Sequence, residues 1–216
     1  ILNLGKRDNF TLENLEKEGL PKAKAEHTAE ASKASMGAEL SEEDMKQIQA
    51  MCRNTLGLYD ARESLEQYVD TVMEEVAPNT RALAGALLGA RLIALTGGLN
   101  NLAKLPASTI QVLGAEKALF RSLKTGARPP KHGIIFQHNL IHEAKKWQRG
   151  KVARALAGKL AIATRIDAFS GKYVGDRLKA DLEKKIREIG EKYGEPPAME
   201  PSVKRGLRRM KRGRRG

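Results

Sequence analysis

The sequence predicts an all-α protein in which a coiled-coil helix leads into a helical globular domain and a disordered basic tail closes the chain. Three observations point this way. Only 4% of the 216 residues are aromatic while 30% are charged, a balance suited to long exposed helices rather than one thick core. Over residues 45–76 apolar side chains recur every three or four positions or a little more. After Pro196 and Pro197 the composition shifts, and PSVKRGLRRMKRGRRG, residues 201–216, holds eight basic residues and no acid.

Residues 1–40 mix Gly5, Gly19, Pro21 and Gly37 with short polar helical stretches and no sustained apolar period, as expected of a connecting region at the tip of the coiled coil. Ser41 then offers an N-cap, with Asp44 three positions on. Met45, Ile48, Cys52, Leu56, Tyr59, Leu65, Val69, Val72 and Val76 form a narrow seam with charged flanks. Residues 41–78 are therefore expected to form one long helix that needs a partner helix and is stopped or bent at Pro78. Nothing upstream carries a seam of comparable length.

The second domain is expected over residues 79–195. A helix over 79–95 combines Leu83, Leu87 and Leu88 with the small residues Ala84, Gly85, Ala86, Gly89 and Ala90, which let neighbouring backbones approach, and Gly97 and Gly98 end it. Pro106, Pro129 and Pro130 cut residues 99–142 into short helices joined by ordered loops. Over 148–167, Val152, Leu156, Leu160 and Ile166 define a buried side, as Leu178, Leu182, Ile186 and Ile189 do over 174–193. Residues 196–216 remain as the flexible tail.

A formal net charge of +13 and a pI near 9.9 call for an acidic partner, and nucleic acid is a better expectation than an anionic membrane. Without residues 201–216 the charge is still +5. No apolar run reaches the roughly 18 residues that cross a bilayer, because Arg81 and Arg91 interrupt the most hydrophobic stretch. Cys52, the single cysteine, cannot form an intrachain disulfide and suits a reducing, intracellular setting. The start, ILNLGKRDNF, has neither a signal-peptide pattern nor an initiator methionine and reads as a point within a longer protein.

The densest cluster of constraints lies within residues 102–138. Gly114 precedes a short helical pattern with Lys117, Arg121 and Lys124 on one stripe and Leu119, Phe120 and Leu123 on another. One face can pack while the other meets a polyanion, and the N–H groups at the helix start favour phosphate oxygens. From charge alone, the basic stripe reads more readily as a solvated face. Phe120 could stack on a base, but one aromatic on an apolar helix face is expected in the core. Ser108, Thr109 and Gln111 can donate to phosphate or 2′-OH groups and serve equally well as caps. Lys151, Arg154 and Arg165 form a second basic stripe, within about 60° of one another and opposite the buried side.

No cofactor or metal is expected. His138 and His142 are four apart, yet Asn139 stands where a zinc hydrolase needs glutamate, and no further ligand cluster is near. Phosphate-loop, dinucleotide and serine-hydrolase motifs are absent from the sequence, which gives no support to an enzyme.

LPASTIQVLGAEKALFR, followed by PPKHGIIFQ and then QRGKVARALAGKLAIATRIDAFSG, resembles the Nop domain family. The likeness runs over about residues 44–193 and is closest to the archaeal Nop protein of box C/D guide-RNA particles. It implies a helical Nop domain and a non-catalytic core scaffold subunit of a particle that guides RNA 2′-O-methylation. The implied binding surface is composite, made of kink-turn RNA and its kink-turn-binding ribosomal-protein homologue. Fibrillarin, the methyltransferase, would be held through an upstream domain that this chain does not contain, and the coiled coil would self-associate.

By the same resemblance Gly114, Ala115, Glu116 and Lys117 sit against the guide-RNA stem, Glu116 capping the helix or holding a neighbouring cation. Ala118, Leu119, Phe120 and Arg121 lie at the junction of RNA and kink-turn-binding protein. His132, Gln137 and His138 fall where a spliceosomal relative has an RNA-contacting loop, with Gln137 in place of that relative's histidine. The RNA-binding set is completed by Ser108, Thr109, Gln111, Lys124, Lys151 and Arg154. The implied location is cytoplasmic in an archaeon and nucleolar in a eukaryote. The alternatives are a coiled-coil scaffold binding nucleic acid or acidic proteins non-specifically, and a spliceosomal Nop-domain relative.

Overall fold

In a computed structural model the chain is described over residues 2–38 and 40–196. Residues 197–216 of the expected tail lie outside the described residues. All regular structure among the described residues is helical, and the protein is all-α as expected. The chain divides into two compact units, Ile1–Tyr68 and Val69–Gly216.

In the first unit, helix α1 (Leu12–Lys17) is capped by Thr11, whose side chain accepts from the Asn14 N–H, and α2 (Lys22–Ala34) follows Pro21. Leu15, Ala25 and Ala29 are buried, with Leu4, Phe10 and Leu20 packed around them. Two alanines four apart leave α2 slim enough to receive Leu15 closely, which is why this small core left no large apolar period in the sequence. Helix α3 (Glu42–Val76) begins where Ser41 predicts. The Ser41 hydroxyl accepts from the Asp44 N–H at 3.1 Å and donates to its carboxylate at 2.6 Å. Along the seam, Met45, Ile48 and Cys52 are half-buried, but Leu56, Tyr59 and Leu65 are 49%, 64% and 63% exposed.

In the second unit Pro78 is the first residue of α4 (Pro78–Ala84), where its missing N–H costs nothing. The single helix expected over 79–95 is in fact two. Gly85, at φ 78°, breaks the run before α5 (Ala86–Thr96); a left-handed residue cannot continue a right-handed helix, and glycine adopts it without a Cβ clash. The small-residue expectation holds at Gly89, where a Cβ would come within 2.8 Å of the Met73 methyl. There follow α6 (Leu99–Lys104), α7 (Ala107–Val112), α8 (Glu116–Thr125), α9 (Asn139–His142), α10 (Arg149–Phe169) and α11 (Gly175–Lys192).

Helix α10 is the hub, packing against α4, α6, α7 and α11. Leu92, Leu102, Ile110, Ile135, Leu156 and Leu160 are wholly buried around it, each contributing about 2 kcal/mol of apolar transfer. Leu178, Leu182 and Ile189 close the core from α11, with Ile186 partly buried beside them.

Polar joints fix the ends of these helices. The Asp167 carboxylate on α10 accepts from the backbone N–H of Asn79 at 3.1 Å and of Thr80 at 2.8 Å, and from their side chains at 2.7 and 2.6 Å. It caps α4 from 88 residues away in sequence. Asn79 continues the joint, donating to the Lys172 carbonyl and accepting from the Val174 N–H. Arg81 pairs with Asp70 at the end of α3 through two bonds of 2.8 and 2.6 Å, and the guanidinium holds that carboxyl below its usual range. At the other end of the core, Trp147 and Gln148 both donate to the Tyr193 carbonyl.

His138 belongs to this framework. Its Nδ1 accepts from the Leu140 N–H and caps α9, while Nε2 lies 2.8 Å from the Leu83 carbonyl, which fixes a neutral ring protonated on Nε2. Burial lowers its pKa from the ordinary 6.5, the Leu83 bond opposing and Lys179 adding to the shift. The native state thus resists a proton that the unfolded chain accepts. Stability is therefore full above pH 6.5 and falls as the pH drops from there towards the depressed native value. Thermal melts between pH 7.5 and 5 should show this slope, and His138→Asn, still able to cap α9, should flatten it while lowering the midpoint at neutral pH.

Candidate nucleic-acid interface

The basic helix α8 starts from a corner made of backbone. The Gly133 N–H donates to the Gln111 carbonyl and the Ile134 N–H to the Leu113 carbonyl, both at 2.8 Å, while the Gln111 side chain donates to the Lys131 carbonyl at 2.6 Å. Residues 131–134 are thereby seated on the turn between α7 and α8. A Cβ at position 133 would lie 2.0 Å from the Leu113 oxygen, so only glycine fits this approach. Gly114 follows directly, and its N–H donates to the Glu116 carboxylate at 2.6 Å; this bond closes the turn ahead of α8, whose N-cap residue Ala115 makes no side-chain cap bond.

From this corner α8 stands away from the core. Ser122 is its one buried residue. Lys117, Ala118, Arg121 and Lys124 are exposed, and Leu119 is half-buried. Phe120 and Leu123 are 62% and 72% exposed, so the expected core placement of Phe120 does not hold. The helical spacing correctly separates an apolar from a basic stripe, but the described residues supply no surface that covers the apolar one. Both stripes face outward on ten residues.

The remaining expected residues lie on α7, on α10 and in the segments that precede α8 and α9. Ser108, Lys151 and Arg154 are exposed; Thr109, Ala115 and His132 are half-buried. Several are already engaged: Gln137 accepts from Arg91 at 2.8 Å, the Lys151 ammonium lies 3.9 Å from the Tyr193 ring centre, and His138 has both ring nitrogens occupied. Arg165, third member of the second basic stripe, turns back to the carbonyls of Ala103 and Leu105. The structure adds Lys131, whose stem packs at Gly150, and Arg149, 5.3 Å from the Phe136 ring. Neither lies on a helical stripe with the others, so no periodicity announces them.

The charge is strongly divided along the chain. Residues 1–77 carry nine Lys and Arg against sixteen Asp and Glu, whereas residues 78–196 carry twenty-two against nine. The positive field therefore belongs to the part that bears the α8 corner.

A helical bundle with an outward basic helix beside a basic loop defines a class of protein suited to polyanionic partners. The family follows from comparison: the Nop model, described as "snoRNA binding domain, fibrillarin", matches residues 1–188, and the chain belongs to the Nop family. An uncharacterised NOP5 family protein of Methanocaldococcus jannaschii is 54% identical over 196 residues, 91% of this chain and 47% of the relative. Nucleolar protein 58 of Aspergillus terreus is 45% identical, covering 79% of this chain and 29% of its own length. For human nucleolar protein 56 the values are 44%, 83% and 31%. The chain thus spans less than half the length of these relatives. Among solved structures, one from a crystal of a fibrillarin/Nop5p complex is 32% identical, with a TM-score of 0.54 over 82% of this chain and 64% of that one. No helix among the described residues is long and apolar enough to cross a membrane.

Proposed function

We propose that this chain is the Nop portion of a scaffold subunit in a box C/D ribonucleoprotein that guides RNA 2′-O-methylation. The observation that carries this reading is α8, which presents Lys117, Arg121 and Lys124 beside the uncovered Phe120 and Leu123. Cations alone would suit any polyanion. Cations beside large apolar side chains suit a surface that is part RNA and part protein, here kink-turn RNA with its kink-turn-binding ribosomal-protein homologue. Each half contributes modestly, so binding is strong only when both are in place.

The contact set we assign to that surface is Gly114 to Lys117 against the RNA stem, Ala118 to Arg121 at the RNA–protein junction, and Ser108, Thr109, Lys124, His132, Lys151 and Arg154 around them. Gln111 supports its backbone through the Lys131 carbonyl, while Gln137 is engaged by Arg91 and His138 by Leu83 and Leu140. The role is positional. Methyl transfer would be done by fibrillarin, held through other parts of the full-length protein, in the cytoplasm of an archaeal cell. The exposed Leu58, Tyr59, Leu65 and Tyr68 on α3, 63% to 73% accessible, support a partner helix for this segment and hence self-association.

A gel shift at near-physiological salt tests the reading. The chain lacking residues 201–216 should shift a box C/D kink-turn RNA only when the kink-turn-binding protein is already bound. Equal, weak shifts of any RNA with or without that protein would instead favour a merely basic helical scaffold, whose binding is counterion release without shape recognition.

A further inference from the structure

Beside the α8 corner the His132 ring lies on Phe136, centroids 4.5 Å apart and planes within 11°, and the Arg149 guanidinium stands 5.3 Å from the same phenyl ring. We propose that His132 is a stacking platform for one unpaired RNA base, the half-exposed end of a pile made with Phe136 and Arg149. This rests on the RNA-binding reading above and goes beyond it by naming what the loop takes: a nucleobase face rather than a phosphate.

The pile is built before any ligand arrives. Phe136 packs against the hydrophobic core. Arg149 is held by the carbonyls of Ala144 at 3.1 Å and His142 at 2.9 Å, which fix its charge beside the phenyl ring. The backbone on either side of His132 is fixed by the Gln111–Lys131 and Gly133–Gln111 bonds, so little freedom is lost when a base lands there. Burial, assisted by Arg149 and Lys131, also pushes the imidazole below its ordinary range. Near neutral pH the ring is uncharged, a stacking surface and a poor phosphate ligand. Exposed Lys131, next in sequence, is available for the same nucleotide's phosphate, the pairing of aromatic face and cation by which unpaired bases are held.

The test uses the full chain, the kink-turn-binding protein and a kink-turn RNA carrying fluorescent aminopurine at one unpaired position at a time. Wild-type chain should quench one position. His132→Phe should keep that quench and the affinity, whereas His132→Ala should lose the quench and bind roughly ten-fold more weakly. Assembly of the wild type with no position quenched overturns the inference alone. So does a His132→Lys variant that binds as well as wild type while His132→Phe fails, since that would make the residue a phosphate-binding cation. A wild-type chain that never joins the RNA–protein complex overturns the functional reading and the inference with it.

Discussion

Asp167→Ala is expected to lower the stability of the second unit by about 3–5 kcal/mol, the cost of leaving several buried donors without an acceptor. Asn79 and Thr80 are wholly buried, and the carboxylate serves four of their donors at once. In a unit of this size the unfolding midpoint should fall by roughly 10 °C, read by circular dichroism. Asp167→Asn, which keeps an acceptor oxygen but turns an amide N–H₂ towards the same donors, should recover only part of the loss. A fall of less than about 2 °C for the alanine variant would mean that water replaces the carboxylate there at little cost.

The second large effect is on assembly. Lys117→Ala with Arg121→Ala removes two exposed charges from α8 and should weaken joining of the kink-turn RNA–protein complex by about a hundred-fold, as for two charge-assisted bonds. The salt dependence of binding should become shallower by about two released counterions. Because neither side chain is buried, the melting midpoint should move by no more than about 1 °C. Unchanged affinity at equal stability would move the RNA contact off this helix. A large loss of stability would show that the stripe holds the fold together.

These two residue sets also mark how far the sequence could be read. The apolar period, with Ser41 and Pro78 for α3, located α3, α10 and α11 to within a residue or two, because helix propagation and capping are local. Gly85 misled, since a glycine in an apolar helical run reads equally as a close-packing position or as a break, and only the tertiary path decides. Asp167 was invisible as a cap because the N–H groups it serves lie 88 and 87 residues away. At the interface, the two stripes of α8 could be read from spacing alone. Whether Phe120 is covered depends on what stands opposite it, and spacing carries no such information. His138 drew attention as a loop histidine beside a motif; its inward position follows from the Leu83 carbonyl, which no local pattern reveals.

The missing side chain at position 133 has a consequence for selectivity. With no atoms between the loop at residues 131–134 and the α7–α8 turn, the two are joined as one solid piece, and the gap between the His132 ring and the start of α8 is a fixed length. A flexible corner could close on many ligands and would discriminate by affinity for each. A fixed one would work as a caliper: on the proposed RNA-binding reading, a polyanion bridging both points would need that separation beforehand, and the corner would respond to curvature ahead of the letters of the sequence it holds.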